Sequence, residues 1–166
     1  MLATTGITGP AHPATLGPLD FGPRTLDWMM DQAPALGPAY AMLAADVDAD
    51  GNDLDGLLHP EVTAPLATYP PWNLRGEGIG GRGEGVTLVG AMLPFPVEGA
   101  GPPGDRRRSI ADRYASRQAY LDQVRPAIRA LIADRLVLAQ DEELMIEAAG
   151  QRYDLIIANG DAWRSQ

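Results

Sequence analysis

Cysteine and lysine are absent from this chain of 166 residues, and aromatic residues make up only 6% of it. Without cysteine, the sequence excludes a disulfide framework, a thiolate metal site and a thiol redox centre. All 13 basic residues are arginine, and with 22 acidic residues the formal net charge is −9. Nucleic acid and anionic membrane surfaces are bound by basic faces, so we expect neither as a partner.

Long apolar runs are also missing. No stretch approaches the roughly 20 apolar residues of a membrane-spanning helix. Residues 1–5 have neither the basic start nor the apolar centre of a signal peptide, so we expect a cytoplasmic protein. What the chain does have is 19 glycines and 15 prolines alongside 45% hydrophobic residues. That composition predicts one loop-rich domain with a modest core.

The order of these features along the chain predicts an α+β fold that ends in an antiparallel helical hairpin. We divide the chain into five segments, which are an extended arm at 1–24, a β-hairpin and irregular loop region at 25–95, a linker at 96–108, a helical hairpin at 109–158 and a tail at 159–166. The predicted β-hairpin covers residues 39–58 and turns at Asp50-Gly51. A further buried strand is expected at residues 86–93.

Apolar spacing identifies the two helices. From the N-cap candidate Ser116, apolar residues recur every three or four positions at Tyr120, Leu121, Val124, Ile128, Leu131 and Ile132. Pro126 interrupts this stripe, so we expect a kink or a helix that begins anew there. The second helix is predicted over residues 141–153, with an inward face at Leu144, Met145, Ala148 and Ala149.

Several stretches have distinctive residue patterns that a generic loop would not need. They are LDFGPR at 19–24, VDADGN and PEVTAPLATYPPWNLR within 47–75, LPF at 93–95, RYASRQAYL at 113–121 and RYDL at 152–155. Together these segments resemble the C-terminal part of the alpha/beta hydrolase domain family, which are serine-hydrolase-like proteins of largely unassigned substrate. The resemblance covers roughly residues 15–158.

The serine that such a hydrolase needs is not recognisable. The nucleophile stands in G-x-S-x-G on a sharp strand-to-helix turn, and none of Ser109, Ser116 and Ser165 has glycine on both sides at that spacing. In the family, the nucleophile and histidine segments precede LDFGPR. The resemblance therefore implies a non-catalytic C-terminal part that packs on, or shapes the site of, a hydrolase core encoded elsewhere. Self-association through an apolar face is the other expected use of such a surface.

Two alternatives remain open. The spacing of Asp46, Asp48 and Asp50 matches the first three ligand positions of an EF-hand calcium loop. Because Leu57 stands where the closing glutamate belongs, we interpret this segment as a hairpin turn. An autonomous interaction or weak cation-binding module using the loop at 46–55 is the alternative function. A cryptic hydrolase that pairs Ser109 or Ser116 with His59 is the weaker alternative.

A chemically dense cluster stands at Tyr69, Trp72, Asn73 and Arg75. These residues could line a pocket or contact a partner, but we favour a structural role, in which their burial and hydrogen bonds order the proline-rich loop. GEGIGG at 76–81 has dinucleotide-binding spacing without the flanking strand and helix, so we expect a surface loop and no cofactor. The basic run at 106–108 is interpreted as a solvated end of the linker.

Overall fold

The computed structural model describes residues 18–38, 46–76, 78, 80–82, 84–86 and 88–164. The chain divides into two compact units, one of residues 11–44 and one of residues 1–10 with 45–166. Several sequence-based predictions lie outside the described residues, namely the tip of the arm, most of the first strand of the predicted β-hairpin, and Ser165.

The smaller unit contains a short two-stranded sheet. Strand β1 (Leu19–Asp20) pairs antiparallel with β2 (Ala35–Leu36), and a 3₁₀ turn covers Thr25–Asp27 between them. Arg24 Nε donates to the Asp31 carboxylate at 2.8 Å, and this guanidinium lowers the Asp31 pKa below its ordinary value. Gly22 has φ +106°, and a Cβ there would lie 2.9 Å from the Asp31 Cβ. The LDFGPR segment therefore needs glycine at this position to close onto Asp31.

The larger unit holds the longer elements. In chain order they are α1 (Pro60–Thr63), β3 (Ala67–Thr68), β4 (Leu93–Pro94), α2 (Ile110–Arg113), α3 (Arg117–Ala133), a 3₁₀ turn (Ala139–Asp141) and α4 (Glu142–Arg164). Strands β3 and β4 pair antiparallel, with Ala67 opposite Pro94. Helices α3 and α4 pack on each other. The predicted α+β class with a terminal helical hairpin is confirmed.

Helix α3 follows its sequence pattern. Its N-cap Ser116 accepts a hydrogen bond from the Ala119 amide, and five of the six predicted stripe residues are buried. Ile132, the sixth, packs on the core from a partly buried position. Pro126 lies on the exposed side inside one continuous helix, so the expectation of a helix that begins anew there is wrong.

Helix α4 differs from its prediction in length and in phase. It continues past Tyr153 to Arg164, through most of the predicted tail. Leu144 is 66% exposed, whereas Ile146, Ala149 and Ile156 are buried. The predicted inward placement of Leu144 is therefore wrong. Ala148 is also exposed, while Met145 packs against the core as predicted.

The core is completed by a segment other than the predicted strand at 86–93. Leu66, Phe95 and Ile110 are fully buried against the helical hairpin. Leu88 is fully exposed and adopts a left-handed backbone at φ 60°, which turns the chain where the strand was expected. The returning strand predicted at 54–58 is likewise absent, and the hairpin region shows one antiparallel bridge between Val47 and Asp53.

Candidate functional site

Both described serines cap helices. The Ser109 hydroxyl accepts from the Asp112 amide at 3.1 Å and donates to the Asp112 carboxylate at 2.6 Å, and the residue is 1% exposed. Ser116 accepts from the Ala119 amide at 3.1 Å. His59 acts in the same way at the start of α1, where Nδ1 accepts from the Glu61 amide at 3.3 Å. The serine and histidine side chains considered for a catalytic pair thus each cap the N-terminus of a different helix.

The aspartate loop is closed by its own backbone. Asp48 Oδ1 accepts from the amides of Asp50 and Asn52 at 2.8 and 2.9 Å, and Asp46 accepts from the neighbouring Val47 amide. Asp50 turns its carboxylate to Arg113, whose Nη1 donates at 2.8 Å. In the described part of the chain, no three His, Cys, Asp or Glu side chains are grouped as ligands for a metal ion.

Asn52, which the sequence reading did not single out, joins this loop to strand β3. Its side chain is 1% exposed, Nδ2 donates to the Ala67 carbonyl at 3.1 Å, and Oδ1 accepts from the Tyr69 amide at 2.8 Å. The Thr68 hydroxyl donates to the Asp50 carbonyl. VDADGN and PLATY therefore lie side by side, and the buried amide satisfies both a donor and an acceptor of the backbone.

Two arginines lie on Phe95. The guanidinium carbon of Arg113 is 4.2 Å from the ring centroid, and that of Arg107 is 5.4 Å away. Arg107 is only 7% exposed, and it donates to Asp105 at 2.8 Å and to the Leu93 carbonyl at 2.8 Å. The interpretation of the basic run as a solvated linker end is wrong for Arg107, because its charge is neutralised inside the fold by Asp105.

Local hydrogen bonds order the segment that holds Asn73 and Arg75 in the predicted cluster. Asn73 Oδ1 accepts from the Leu74 amide at 2.8 Å, and the Arg75 side chain is exposed while its backbone amide bonds Glu84. A bridge between Leu74 and Gly85 then closes the glycine-rich loop. Trp72 is partly buried.

Tyr69 is the exception in this cluster. Among the described residues, its buried hydroxyl is without a hydrogen-bond partner. Burial raises the Tyr69 pKa far above its ordinary value, and the Glu61 carboxylate adds to the shift. A buried hydroxyl of this kind is costly, because it has lost its bonds to water and gained none in return.

A cleft of about 190 Å³ opens along the helical hairpin. Its lining residues come from α1, α3 and α4, and they are His59, Pro60, Glu61, Tyr120, Val124, Ile128, Met145, Ala148, Ala149 and Arg152. Arg152 pairs with Glu61 and lies beside Tyr120, where its charge opposes the effect of burial on the Tyr120 pKa. Burial raises the Tyr120 pKa. None of the residues from Tyr69 to Arg75 lines this cleft. The sequence patterns that fall on it are the family-like segments with Glu61, Tyr120 and Arg152 and the apolar faces predicted for the two helices.

Comparison with known proteins identifies a family. A family model described as alpha/beta hydrolase domain matches residues 8–147. No curated protein and no solved structure matches the chain significantly. Within the described residues, none of the helices combines the length and the apolar character that crossing a membrane requires.

Proposed function

The chain belongs to the alpha/beta hydrolase domain family, and we propose that residues 46–164 form a non-catalytic, supporting part of such a hydrolase. In this role the unit packs on a hydrolase core and shapes its site. The observation that carries the proposal is the local role of the candidate nucleophiles, since Ser109 and Ser116 are both helix N-caps.

A serine nucleophile needs an exposed oxygen and a base within hydrogen-bond reach. Ser109 meets neither requirement, because its oxygen is buried and its proton is directed to the Asp112 carboxylate. Ser116 is exposed, but its oxygen accepts the amide of Ala119 at the start of α3. Both hydroxyls therefore stabilise helices, and that role accounts for their hydrogen bonds in full.

The polar side chains of the family-like segments favour a supporting role as well. Asp50 and Arg113 bind each other across 63 positions of sequence, and Asn52 bonds the PLATY strand. Arg107 holds the carbonyl of Leu93 next to Phe95. Groups satisfied in this way rigidify a fold, and a rigid supporting shell is what a catalytic centre requires of its neighbours.

The test of catalytic silence is an activity-based one. The purified chain is incubated with a fluorophosphonate probe and with a short-chain p-nitrophenyl ester, beside an active serine hydrolase as positive control. We expect no labelled band and a hydrolysis rate equal to that of buffer. Stoichiometric labelling that Ser109→Ala or Ser116→Ala abolishes would overturn the proposal.

The packing part is tested separately with a polypeptide of this family that carries the G-x-S-x-G segment. We expect calorimetry to show binding and the melting temperature of the chain to rise with the concentration of that core, as linkage requires. If neither binding nor a shift in melting temperature occurs, the packing role is wrong even when the chain is catalytically silent.

The cation-binding alternative is less well supported, because Asp50 is already paired with Arg113 and Asp48 is used by two backbone amides. Without a closing carboxylate we expect calcium affinity in the millimolar range or weaker. A calorimetric titration that shows micromolar binding, lost in Asp48→Ala and retained in Asp53→Ala, would favour the alternative.

A further inference from the structure

The cleft on the helical hairpin has one polar end and one apolar end. Tyr120, Val124 and Ile128 lie one turn apart along α3, since an α-helix repeats about every 3.6 residues. Arg152 of α4 lines the cleft together with Tyr120 and pairs with Glu61. Met145 precedes Arg152 by about two turns of α4, which runs antiparallel to α3, so Met145 lies towards Ile128. The polar groups therefore meet at the Tyr120 end.

Charge at the polar end excludes most ligands with a net charge. Arg152 and Glu61 already neutralise each other. An added anion would have to displace Glu61 from Arg152 in a chain of net charge −9, and an added cation would have to displace Arg152 from Glu61. A neutral group is left, and a hydroxyl suits this pair well. It can donate to the carboxylate of Glu61 and accept from one of the five N–H donors of Arg152.

The size of the cleft restricts the rest of the ligand. Its volume is about 190 Å³, and an apolar cavity of about 150 Å³ in another protein is known to hold benzene. Val124 and Ile128 form the buried floor of the cleft, and its accessible hydrocarbon comes from the partly buried Met145 and the exposed Ala148, against which an apolar body of about that size fits.

We propose that this cleft binds a small neutral alcohol or phenol. The ligand hydroxyl lies beside the ion pair of Glu61 and Arg152, and the apolar body lies against Met145 and Ala148. This site is independent of whether the chain supports a hydrolase core, because no step of the argument uses catalysis or the family.

The test compares phenol with toluene, which has the same number of non-hydrogen atoms but no hydroxyl. Binding is followed by two-dimensional NMR of the ¹⁵N-labelled full chain. We expect saturable shifts at the amides of Glu61, Val124 and Arg152, and a dissociation constant about tenfold lower for phenol than for toluene. Arg152→Met should remove most of that preference.

A matched pair of variants locates the site. Ala148 lines the cleft from an exposed position, so Ala148→Leu fills the cleft without entering the core. Ala158 is exposed on the same helix and does not line the cleft, so Ala158→Leu is the control. We expect Ala148→Leu to weaken phenol binding about tenfold or more and Ala158→Leu to leave it unchanged.

Three results would overturn the proposal. These are no saturable binding of phenol, equal affinity for phenol and toluene, and wild-type affinity in Ala148→Leu. Because hydrolysis is not measured in any arm, failure here leaves the supporting role of the chain standing, and labelling of Ser109 would leave the cleft standing.

Discussion

Asp50 and Arg113 form one of the most buried ion pairs in the larger unit. The two side chains are 15% and 12% exposed, and the guanidinium also lies over Phe95. Breaking such a pair leaves a charge that is partly desolvated and unpaired. By contrast, Arg117 and Asp154 are 46% and 56% exposed, where solvent screens the attraction.

Asp50→Asn should therefore lower the free energy of unfolding by about 3 kcal/mol, the lower end for a broken buried pair, because the amide oxygen still accepts one bond. The same change at the exposed pair, Asp154→Asn, is the control and should cost less than about 1 kcal/mol. Urea unfolding measures both. Equal losses would show that the Asp50 carboxylate is not paired inside the fold in solution.

Tyr114 and Tyr69 differ in the hydrogen bonding of their hydroxyls. The Tyr114 hydroxyl donates to the Pro65 carbonyl at 3.0 Å, whereas among the described residues the Tyr69 hydroxyl has no partner. Tyr114→Phe should cost about 1 kcal/mol of stability, and Tyr69→Phe should raise stability by about 1 kcal/mol, since it removes an unsatisfied group. A loss of stability in Tyr69→Phe would mean that its hydroxyl is bonded in solution.

The sequence showed which residues carry polar chemistry but not with what they pair. Asp50 was a candidate cation ligand because other aspartates stand close to it in the sequence. Its partner in the structure is Arg113, which lies 63 positions away. Arg107 was assigned to solvent because its two neighbours are arginines, although Asp105, two positions earlier, neutralises it. Tertiary pairing of this kind has no periodic signal that could reveal it from one sequence.

Helix α3 keeps Pro126 in its interior without interruption. Proline there removes one backbone hydrogen bond and crowds the preceding turn. The helix persists because its apolar stripe, from Tyr120 to Leu131, is buried against the core. Burial of a large apolar side chain is worth about 1.5–3 kcal/mol, so several of them outweigh the proline.

Pro126→Ala should raise the free energy of unfolding by up to about 3 kcal/mol, the difference in helix propensity between the two residues. The control is Pro103→Ala, because Pro103 stands in a turn closed by the bond from the Asp105 amide to the Pro102 carbonyl. There the expected change is a loss of about 0.4–1 kcal/mol, through greater freedom of the unfolded chain. A destabilised Pro126→Ala variant would contradict the helix as described.

The phase of α4 was readable in principle. Its inward residues Ile146, Ala149, Tyr153, Ile156 and Gly160 recur at alternating intervals of three and four, which is one helix face. The predicted helix ended at Tyr153, so it lacked the last members of this series. Leu144 was therefore assigned to the inward face instead. The short strands β3 and β4 were not readable, because two-residue pairings are set by tertiary contacts and not by alternation.

The core of the larger unit is drawn from residues between Ala64 and Ile156. Leu66 and Phe95 meet the helical hairpin from loop-connected segments, and Tyr120 lies between the rings of Tyr114 and Tyr153 at centroid distances of 5.1 and 5.4 Å. Because aromatic rings carry so much of this core, the ionisation of their hydroxyls bears on the stability of the entire unit.

Stability should fall steeply in alkali. Burial raises the pKa of Tyr114 from 10.0 to about 12, and it raises the pKa of Tyr69 and Tyr120 as well. A group with a raised folded-state pKa contributes stability that is complete below its unfolded-state pKa and is lost as the pH rises through the folded value. In urea unfolding, the contribution of these groups to the free energy of unfolding should stay constant up to about pH 10 and decline towards pH 12. A flat profile across that window would contradict their burial.

Hydrogen exchange tests how far the ordered core extends. Amides of α3 and α4 should be strongly protected, and so should the amide of Phe95, which bonds the Leu66 carbonyl at 3.0 Å inside the core. Exposed Leu88 and Val89, outside any strand, should exchange rapidly.

The extent of that protection separates two accounts of the larger unit. If the ordered core were limited to the helical hairpin, strong protection would be confined to roughly residues 109–155, because the remainder would have too few apolar residues to offset its ordering entropy. The described contacts add Leu66 and Phe95 to the core, and the buried side chain of Asn52 ties the aspartate loop to β3, so protection at Phe95 and Tyr69 is expected without a partner. If protection stops at α2, these contacts form only when a hydrolase core is present, and adding that core should then restore protection at Phe95.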